Sequence, residues 1–245
     1  MTTLFISDLH LCSERPAITD LFLAFLRERA ARAEALYILG DWFEYWIGDE
    51  AVTHDEYRST VTAIQKITDN GTPAFVIPGN RDFLMGNRFE KCTGCRLLPD
   101  PSVIDLYGKR VLVMHGDSLC TDDHEYQTFR QRVRSDDWKR DYLAKTVEER
   151  HTIVREFRER SKVAKARKKP EIMDVNAHAV NEIMRTHQVH DLIHGHTHRP
   201  GEHVFDLDGR RARRMVLGDW YENGNVLTCD ANGWVLETLP LHEPT

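Results

Sequence analysis

The sequence has no long hydrophobic run. None of its apolar stretches approaches the roughly 18 residues that a helix needs to cross a bilayer, which excludes a membrane-spanning protein. Internal repeats and low-complexity tracts are also absent, and 41% of the 245 residues are hydrophobic, which excludes a disordered chain. This supply of apolar residues is enough for the core of one large α/β domain or two small ones.

Cysteine is scarce, and the sequence offers no sign of disulfide bonds. The five cysteines are odd in number, and the first residues lack the basic and then apolar segments of a secretory signal. We therefore expect a cytoplasmic protein with reduced thiols. Cys92 and Cys95 form a lone CxxC pair without a second pair nearby, so four zinc ligands cannot be assembled and the pair is incidental.

Positive charge is in deficit over the whole chain but in excess in one segment. The net charge is −6. Residues 130–169 nevertheless hold 15 Lys and Arg against seven Asp and Glu, a net charge of +8, so the other 205 residues carry −14. Such a block indicates an anionic partner, namely a phosphorylated substrate, a membrane surface or a nucleic acid. A solvated helix face is the alternative.

One local pattern recurs along the chain: a short apolar run, then an acidic, amide or His residue close to a Gly or Pro. Such runs are typical of strands buried on both faces. They occur at residues 4–6, 35–39, 74–77, 111–114, 192–193 and 215–217. Helical segments are predicted between the first three runs, at residues 17–33 and 55–69. Short late strands are predicted at residues 202–207, 213–217, 225–229 and 233–239. This order predicts a layered α/β/β/α sandwich.

Residues 124–170 break this pattern because they contain no strand-like run. Their apolar residues fall on a helical stripe made of Trp138, Tyr142, Leu143, Val147, Ile153, Val154 and Phe157. We interpret the segment as a helical cap inserted over the strand edge of one domain that spans residues 1–245. The stripe either packs this insertion onto the core or offers an apolar wall to a ligand.

Seven polar residues follow the predicted strands, at the carboxyl ends where ligands of α/β folds gather. They are Asp8, His10, Asp41, Asn80, His115, His196 and His198. Carboxylate, imidazole and amide oxygen together suit Mn²⁺, Fe²⁺ or Zn²⁺ better than Ca²⁺, which prefers oxygen alone. Seven ligands are too many for one ion and fit two ions that share a carboxylate. In Asp8-x-His10 and His196-x-His198, an extended backbone would point both side chains of each pair to one site.

The ordered motifs resemble the calcineurin-like metallophosphoesterases, and within them the UDP-2,3-diacylglucosamine pyrophosphohydrolases of bacterial lipid A biosynthesis. The resemblance covers residues 4 to about 220. The motifs are FISDLHL at 5–11, YILGD at 37–41, GNRDFL at 79–84, HGDSLCT at 115–121, IMDVN at 172–176 and LIHGHTHRP at 192–200. It implies a four-layer α/β/β/α metallophosphoesterase sandwich with a helical cap. It also implies hydrolysis of the diphosphate to UMP and the lipid sugar 1-phosphate, by attack of metal-activated water on the α-phosphorus.

Carried over residue by residue, the resemblance implies two Mn²⁺ ions per chain. It assigns one ion to Asp8, His10, Asp41 and His198, and the other to Asp41, Asn80, His115 and His196. Asp41 would then bridge the two. The resemblance assigns catalytic roles to Asp41, Asn80, Arg81 and His115. It assigns substrate contacts to Asn80, Arg81, Asp123, Ser161, Lys165, Lys168 and His196.

The partners that the resemblance implies are UDP-2,3-diacylglucosamine and a membrane surface, but neither nucleic acid nor another protein. The membrane would be contacted through the cap, which implies a peripheral location on the cytoplasmic face of the inner membrane. Two features depart from the family pattern. Lys165 stands where a small polar residue is usual, and residues 135–149 are polar where relatives are apolar.

Arg81 favours a diphosphate over an alkyl phosphodiester as the substrate. The wider superfamily usually has a His here, which can protonate an alcohol leaving group. An Arg stays protonated and cannot act as that acid, but it can hold a phosphate by two hydrogen bonds. A phosphate leaving group departs without protonation. A salt bridge from Arg81 to Asp82 is the alternative.

Two other functions compete with lipid nucleotide hydrolysis. A soluble nucleotide or dinucleotide diphosphatase on the same fold would use the same cations, but it would not need the apolar stripe. A binding scaffold without catalysis would be expected to lose ligands, whereas all seven are present.

Overall fold

The fold contains two β-sheets. The structure is a computed structural model that describes residues 2–168 and 170–241. The strands are β1 Thr3–Ile6, β2 Ala35–Ile38, β3 Ala74–Val76, β4 Arg96–Leu97, β5 Ser102–Leu106, β6 Lys109–Met114, β7 Asp191–His194, β8 Gly201–Leu207, β9 Arg210–Val216, β10 Gly224–Cys229 and β11 Trp234–Leu239. The first sheet has the order β11-β10-β1-β2-β3-β4, and the second has the order β5-β6-β7-β9-β8.

The helices flank these sheets or connect them. They are α1 Pro16–Glu28, α2 Asp55–Asp69, α3 Asn87–Thr93, α4 His124–Val133, α5 Asp136–Leu143, α6 Val147–Arg167 and α7 Ala177–His187. The helix predicted at 17–33 ends early, because residues 30–32 form a separate 3₁₀ turn. The structure adds α3, α7, β4 and β5, which the apolar pattern did not predict. Among the described helices, none combines the length and the apolar composition of a bilayer-spanning segment.

Successive side chains of a buried strand point to opposite faces of its sheet, so the apolar core is divided into layers. In β1, Leu4 and Ile6 belong to the core that includes α1 and α2, whereas Phe5 packs between the two sheets. In β6, Val113 lies in the core between the sheets and Leu112 packs with residues of α7. The layers therefore run helix, sheet, sheet, helix, and the predicted α/β/β/α sandwich is confirmed.

The parallel strands bring five predicted motifs to one edge. β1, β2 and β3 pair in parallel in the first sheet, and β6 and β7 pair in parallel in the second. The loops that follow these strands carry the seven candidate ligands. Because parallel strands end on the same side of a sheet, their polar residues meet there.

The segment formed by α4, α5 and α6 is anchored to the sandwich by arginines. Nε of Arg130 lies 2.7 Å from Oδ2 of the buried Asp117, and Arg134 donates to the carbonyl of Gly79 at 3.0 Å. At the start of α6, Nη1 of Arg150 donates to the carbonyl of Ile47 at 2.7 Å. These contacts hold the segment beside the strand edge that carries the candidate ligands.

Candidate active site

The first group of candidate ligands joins the loop after β1 to the loop after β7. Nε2 of His198 lies 3.2 Å from Oδ1 of Asp8, and Nε2 of His10 lies 3.4 Å from Nε2 of His198. One ligand atom from each residue lies within 4.8 Å of the others. This group is compact enough to hold one cation.

Asp41 connects this group to a second one. Its Oδ2 lies 3.8 Å from Nε2 of His10, and its Oδ1 lies 3.7 Å from Nε2 of His115. The same His115 nitrogen lies 3.0 Å from Oδ1 of Asn80. The two oxygens of Asp41 therefore point to two different sets of ligands, which is the position that a bridging carboxylate requires.

His196 lies beside the second group. Its ring centroid is 5.0 Å from that of His115, and its backbone N–H donates to Oδ2 of Asp8 at 2.8 Å. The structure thus brings all seven predicted ligands to one edge.

Three of the imidazoles present Nε2 to the cluster, and the other ring nitrogen of each faces an oxygen behind it. Nδ1 of His115 lies 2.9 Å from the carbonyl of Leu39, and Nδ1 of His198 lies 3.0 Å from Oδ2 of Asp219. Nδ1 of His10 lies 3.5 Å from Oε2 of Glu44. This arrangement is typical of histidines that bind metal ions. Sequence reasoning missed Glu44 and Asp219, although Asp219 does follow a predicted strand.

Five candidate ligands have left-handed backbone geometry. The φ angles are 56° at Asp8, 49° at His10, 51° at Asp41, 67° at His196 and 54° at His198. A positive φ is uncommon outside glycine and is held only where the surrounding structure enforces it, as at functional sites. The expectation that both i, i+2 pairs lie in extended backbone is therefore wrong. Loops with left-handed residues, not strands, therefore aim these side chains.

Two glycines permit the close approach of the loops. A Cβ on Gly40, whose φ is 90°, would overlap Nδ1 of His115. A Cβ on Gly195 would overlap Oδ2 of Asp8. Glycine at these two positions lets the first sheet and the second sheet contribute ligands to one cluster.

Burial and neighbouring charge act in opposite directions on the two central carboxylates. Burial alone would raise the pKa of Asp8, but the positively charged His198, whose Nε2 lies 3.2 Å from Oδ1, holds that pKa well below its usual value. Burial raises the pKa of Asp41 to about 7, since nearby carboxylates offset the charge of His115. Two completely buried carboxylates this close together call for cations between them.

The imidazoles fall into two classes by the direction in which their pKa is shifted. Burial opposes the charge of His115 and His198, but neighbouring carboxylates outweigh it and raise the pKa of His115 to about 9 and that of His198 to about 10. Burial lowers the pKa of His196 to about 3 and holds that of His10 well below its usual value.

The donor set fits divalent cations. Among the described residues, Oδ1 of Asp8 is buried and accepts no hydrogen bond of good geometry, although Nε2 of His198 lies 3.2 Å away. Asp8 belongs to both of the groups whose ligand atoms converge, with His10 and His198 in one and with Asp41 and His115 in the other. A buried carboxylate oxygen without a hydrogen bond is expensive unless a cation satisfies it. The chain therefore has candidate residues for a metal centre of mixed oxygen and nitrogen ligands.

A cavity of about 500 Å³ extends from this cluster to the α4, α5 and α6 segment. Its polar part includes the predicted substrate contacts Asn80, Arg81, Asp123, Ser161, Lys168 and His196. Its apolar wall is formed by Tyr45, Trp46, Phe83, Leu84, Phe129, Trp138, Tyr142, Val154, Phe157 and Met173. Lys165 lies on α6, but its side chain is outside the part of the chain that the structure describes.

The predicted apolar stripe is divided between two roles. Trp138, Tyr142, Val154 and Phe157 line the cavity. Val147 packs against the core together with Val154, and Leu143 is 40% exposed. Ile153 is half-buried and lies outside the cavity lining. Neither of the two predicted roles therefore accounts for the whole stripe.

Arg81 does not pair with Asp82. Asp82 is completely buried and accepts hydrogen bonds from the backbone N–H groups of Gly79 and Trp42, both at 2.7 Å. Nη1 of Arg81 lies instead 3.6 Å from Oε1 of Glu44. Arg81 thus lines the cavity with a guanidinium that is held loosely from one side.

Two of the predicted substrate contacts pair with each other. Nζ of Lys168 lies 2.8 and 2.9 Å from the two carboxylate oxygens of Asp123. The same carboxylate accepts the N–H of Tyr126 at 3.0 Å and so caps the first turn of α4. Asp123 and Lys168 therefore also join the beginning of α4 to the end of α6.

The chain matches one protein family and is similar to its members over nearly its full length. The model of the calcineurin-like phosphoesterase family matches residues 1–200. The chain is 51% identical to a UDP-2,3-diacylglucosamine hydrolase of Pseudomonas aeruginosa, over 98% of this chain and 100% of that protein. It is 48% identical to the protein of the same name from Stenotrophomonas maltophilia, over 98% of this chain and 99% of that protein.

Among solved structures, a dimetal phosphatase from Danio rerio has the same fold. The TM-score is 0.53 at 15% identity, over 99% of this chain and 97% of that one. At this identity, the likeness concerns the fold alone.

Proposed function

The chain belongs to the calcineurin-like phosphoesterase family, and on that premise we propose that it hydrolyses UDP-2,3-diacylglucosamine to UMP and 2,3-diacylglucosamine 1-phosphate in lipid A biosynthesis. One observation carries the proposal: the cavity joins a cluster of metal-ligand type to an apolar wall. A diphosphate that carries acyl chains needs both. The relatives that bear the name of this activity match over nearly the full chain.

The family works with a dinuclear metal centre, and we assign both cations to the cluster at the strand edge. Asp8, His10, Asp41 and His198 would hold one, and Asp41, Asn80, His115 and His196 would hold the other. We propose Mn²⁺ for both, as the family resemblance implies, and the mixed oxygen and imidazole ligands are compatible with it. Such a pair, when bound, acidifies water and offsets charge on phosphoryl oxygens.

The residues around the cluster would position the diphosphate. Arg81 lines the cavity beside Asn80, and its guanidinium can hold a phosphate oxygen while it offsets the negative charge of the leaving group. The lipid 1-phosphate can depart without a proton, since its second pKa is ~6. As the family resemblance implies, we place the bond cleavage at the uridine-side phosphorus, with Asp41, Asn80, Arg81 and His115 as the catalytic residues.

The apolar wall would hold the acyl chains. Trp138 and Phe157 reach it from the α4, α5 and α6 segment, whereas Tyr45 and Phe83 reach it from the sandwich. We assign Asp123, Ser161, Lys165 and Lys168 to the substrate as well. Residues 1–245 would form one phosphoesterase domain with residues 124–170 as its cap; residues 1, 169 and 242–245 lie outside the described part.

We further propose that the protein works as a peripheral protein at the cytoplasmic face of the inner membrane. Its substrate carries acyl chains and must be taken from a lipid surface. The +8 block at residues 130–169 lies in the segment that forms part of the cavity, and positive charge favours contact with anionic lipids.

The decisive experiment incubates the purified chain with Mn²⁺ and UDP-2,3-diacylglucosamine and measures UMP. Excess chelator should abolish UMP release and added Mn²⁺ should restore it, with Asp41→Ala the most damaging ligand substitution. In ¹⁸O-labelled water, the label should appear in UMP. Label in the lipid phosphate would place the attack on the other phosphorus. Cleavage of soluble dinucleotides without cleavage of the lipid nucleotide would favour a soluble diphosphatase instead.

A further inference from the structure

Tyr221 and Arg15 form a rim beside the first group of candidate ligands, outside the cavity. The Tyr221 residue is 42% exposed, and its ring stacks on the ring of His10 with centroids 5.2 Å apart and planes 6° apart. The guanidinium carbon of Arg15 lies 4.5 Å from the centroid of the Tyr221 ring. Neither residue belongs to the cavity lining, although His10 does.

Both members of this rim are fixed by contacts with the site itself. Nη2 of Arg15 donates to the carbonyl of His10 and lies 3.2 Å from Oε2 of Glu44. The backbone N–H of Tyr221 donates to Oδ1 of Asp219 at 3.2 Å, and the other oxygen of Asp219 lies 3.0 Å from Nδ1 of His198. An exposed aromatic ring is thus held next to a guanidinium, a few ångströms from the candidate ligands.

The substrate class of the proposed function has two dissimilar halves on either side of its diphosphate. The apolar wall of the cavity suits the acylated half, so the nucleoside half must leave the cluster by another side. A guanidinium attracts phosphate oxygens, and an exposed aromatic ring offers a stacking surface to a base. We infer that the rim of Arg15 and Tyr221 binds the uridine monophosphate half, an assignment that rests on the proposed function.

The test measures binding of the two products separately, by calorimetric titration of the full chain loaded with Mn²⁺. Tyr221→Ala should weaken UMP binding about 5- to 160-fold, the range for loss of one base–aromatic stack. It should leave the affinity for 2,3-diacylglucosamine 1-phosphate within about twofold. Phe157→Ala, a matched loss of an aromatic ring inside the cavity, should show the opposite pattern.

Two further variants separate stacking from support of His10. Tyr221→Phe keeps the ring and should retain UMP affinity within about twofold, whereas Tyr221→Leu keeps an apolar cover over His10 and should lose affinity as Tyr221→Ala does. Unchanged UMP binding in both the Ala and Leu variants overturns the inference, and so does a parallel loss of both products. A wild-type protein that releases no UMP from the lipid nucleotide instead refutes the proposed function.

Discussion

Glu44 lies between four side chains of the candidate site. Its carboxylate oxygens lie 3.1 Å from Nη2 of Arg158, 3.2 Å from Nη2 of Arg15, 3.6 Å from Nη1 of Arg81 and 3.5 Å from Nδ1 of His10. The Glu44 side chain is 9% exposed, so these interactions are only weakly screened by water. One buried carboxylate thus sets the positions of three guanidiniums that come from different parts of the chain.

Glu44→Gln should therefore lower kcat/KM for the lipid nucleotide about 10- to 160-fold, since hydrogen bonds to charged groups contribute about 1.5–3 kcal/mol. The substitution keeps the shape of the side chain but leaves three guanidiniums without their common counter-charge. Steady-state kinetics of the Mn²⁺-loaded enzyme measure the effect. Glu148→Gln, an exposed acid at the first turn of α6, is the control and should stay within about twofold. Equal rates for both variants would remove Glu44 from the positioning of the arginines.

The protonation of the imidazoles predicts how cation binding depends on pH. The pKa of His115 is raised to about 9 and that of His198 to about 10, so both are protonated at pH 8 before a cation binds. His10 and His196 are already neutral there, because burial lowers both pKa values. Coordination requires neutral imidazole. Binding of Mn²⁺ at pH 8 should therefore release about two protons, and affinity should fall as pH falls.

Calorimetric titration with Mn²⁺ in buffers of different ionisation enthalpy counts these protons. His115→Ala should reduce the count by about one, whereas His196→Ala should leave it unchanged while weakening binding. A release of no protons in the wild type would contradict the assignment of His115 and His198 as ligands.

The types of the site residues could be read from the sequence, but their geometry could not. Asp8, Asp41 and His115 each follow an apolar run, and parallel strands bring such positions together whatever the details of the loops. The left-handed φ angles at Asp8 and His10 leave no local signal, since only the packed neighbours enforce them. The role of Glu44 could not be predicted from the sequence either, because its partners Arg15, Arg81 and Arg158 become neighbours only in the folded chain.

Among the helices and strands, those with a regular apolar repeat over several turns were the easiest to predict. Helix α2 was predicted with the right bounds because Tyr57, Val61, Ile64 and Ile67 repeat at helical spacing and are all buried. Helix α7 was missed, although Val180, Ile183 and Met184 repeat at helical spacing, because only Val180 and Met184 of this short segment are fully buried. An apolar pattern of about one and a half turns is too short to distinguish a helix from other structure in the sequence.

The contact between α6 and the sandwich depends on Arg150. This side chain is only 4% exposed, donates to the carbonyl of Ile47 at 2.7 Å and to that of Lys145 at 3.2 Å, and pairs with Glu50 at 3.0 Å. Arg150→Ala should destabilise the protein by ~1–3 kcal/mol, because two carbonyls lose their donor. Thermal unfolding should show a melting temperature lower by several degrees.

Arg155→Ala provides the matched control for this substitution. Arg155 lies on the same helix, is exposed and contacts Thr152 within its own helix at 3.3 Å. Its loss should change stability by less than about 0.5 kcal/mol. Equal melting temperatures of the two variants would mean that α6 is held by its apolar contacts and not by Arg150.

At the scale of the whole molecule, charge is distributed unevenly. The chain carries −6 in total, but residues 130–169 carry +8. Arginines 130, 134, 150 and 158 of this block are engaged with carboxylates of the sandwich. Lys145 and Arg155 are exposed and, among the described residues, form no ion pair within 4.0 Å, so their charges can face an outside anion.

Vesicle binding tests whether this charge serves membrane contact. Each basic residue near an anionic bilayer contributes ~1 kcal/mol, so reversal of Lys145 and Arg155 to Glu should lower partitioning onto anionic vesicles about 10- to 100-fold or more. Co-sedimentation at low salt measures this, and binding of the wild type should fall as salt rises. Reversal of Arg210 and Arg211, an exposed basic pair on β9, is the control with the same change in net charge. If both double variants lose binding equally, net charge and not the segment of α4, α5 and α6 governs the contact, and the proposed membrane face is wrong.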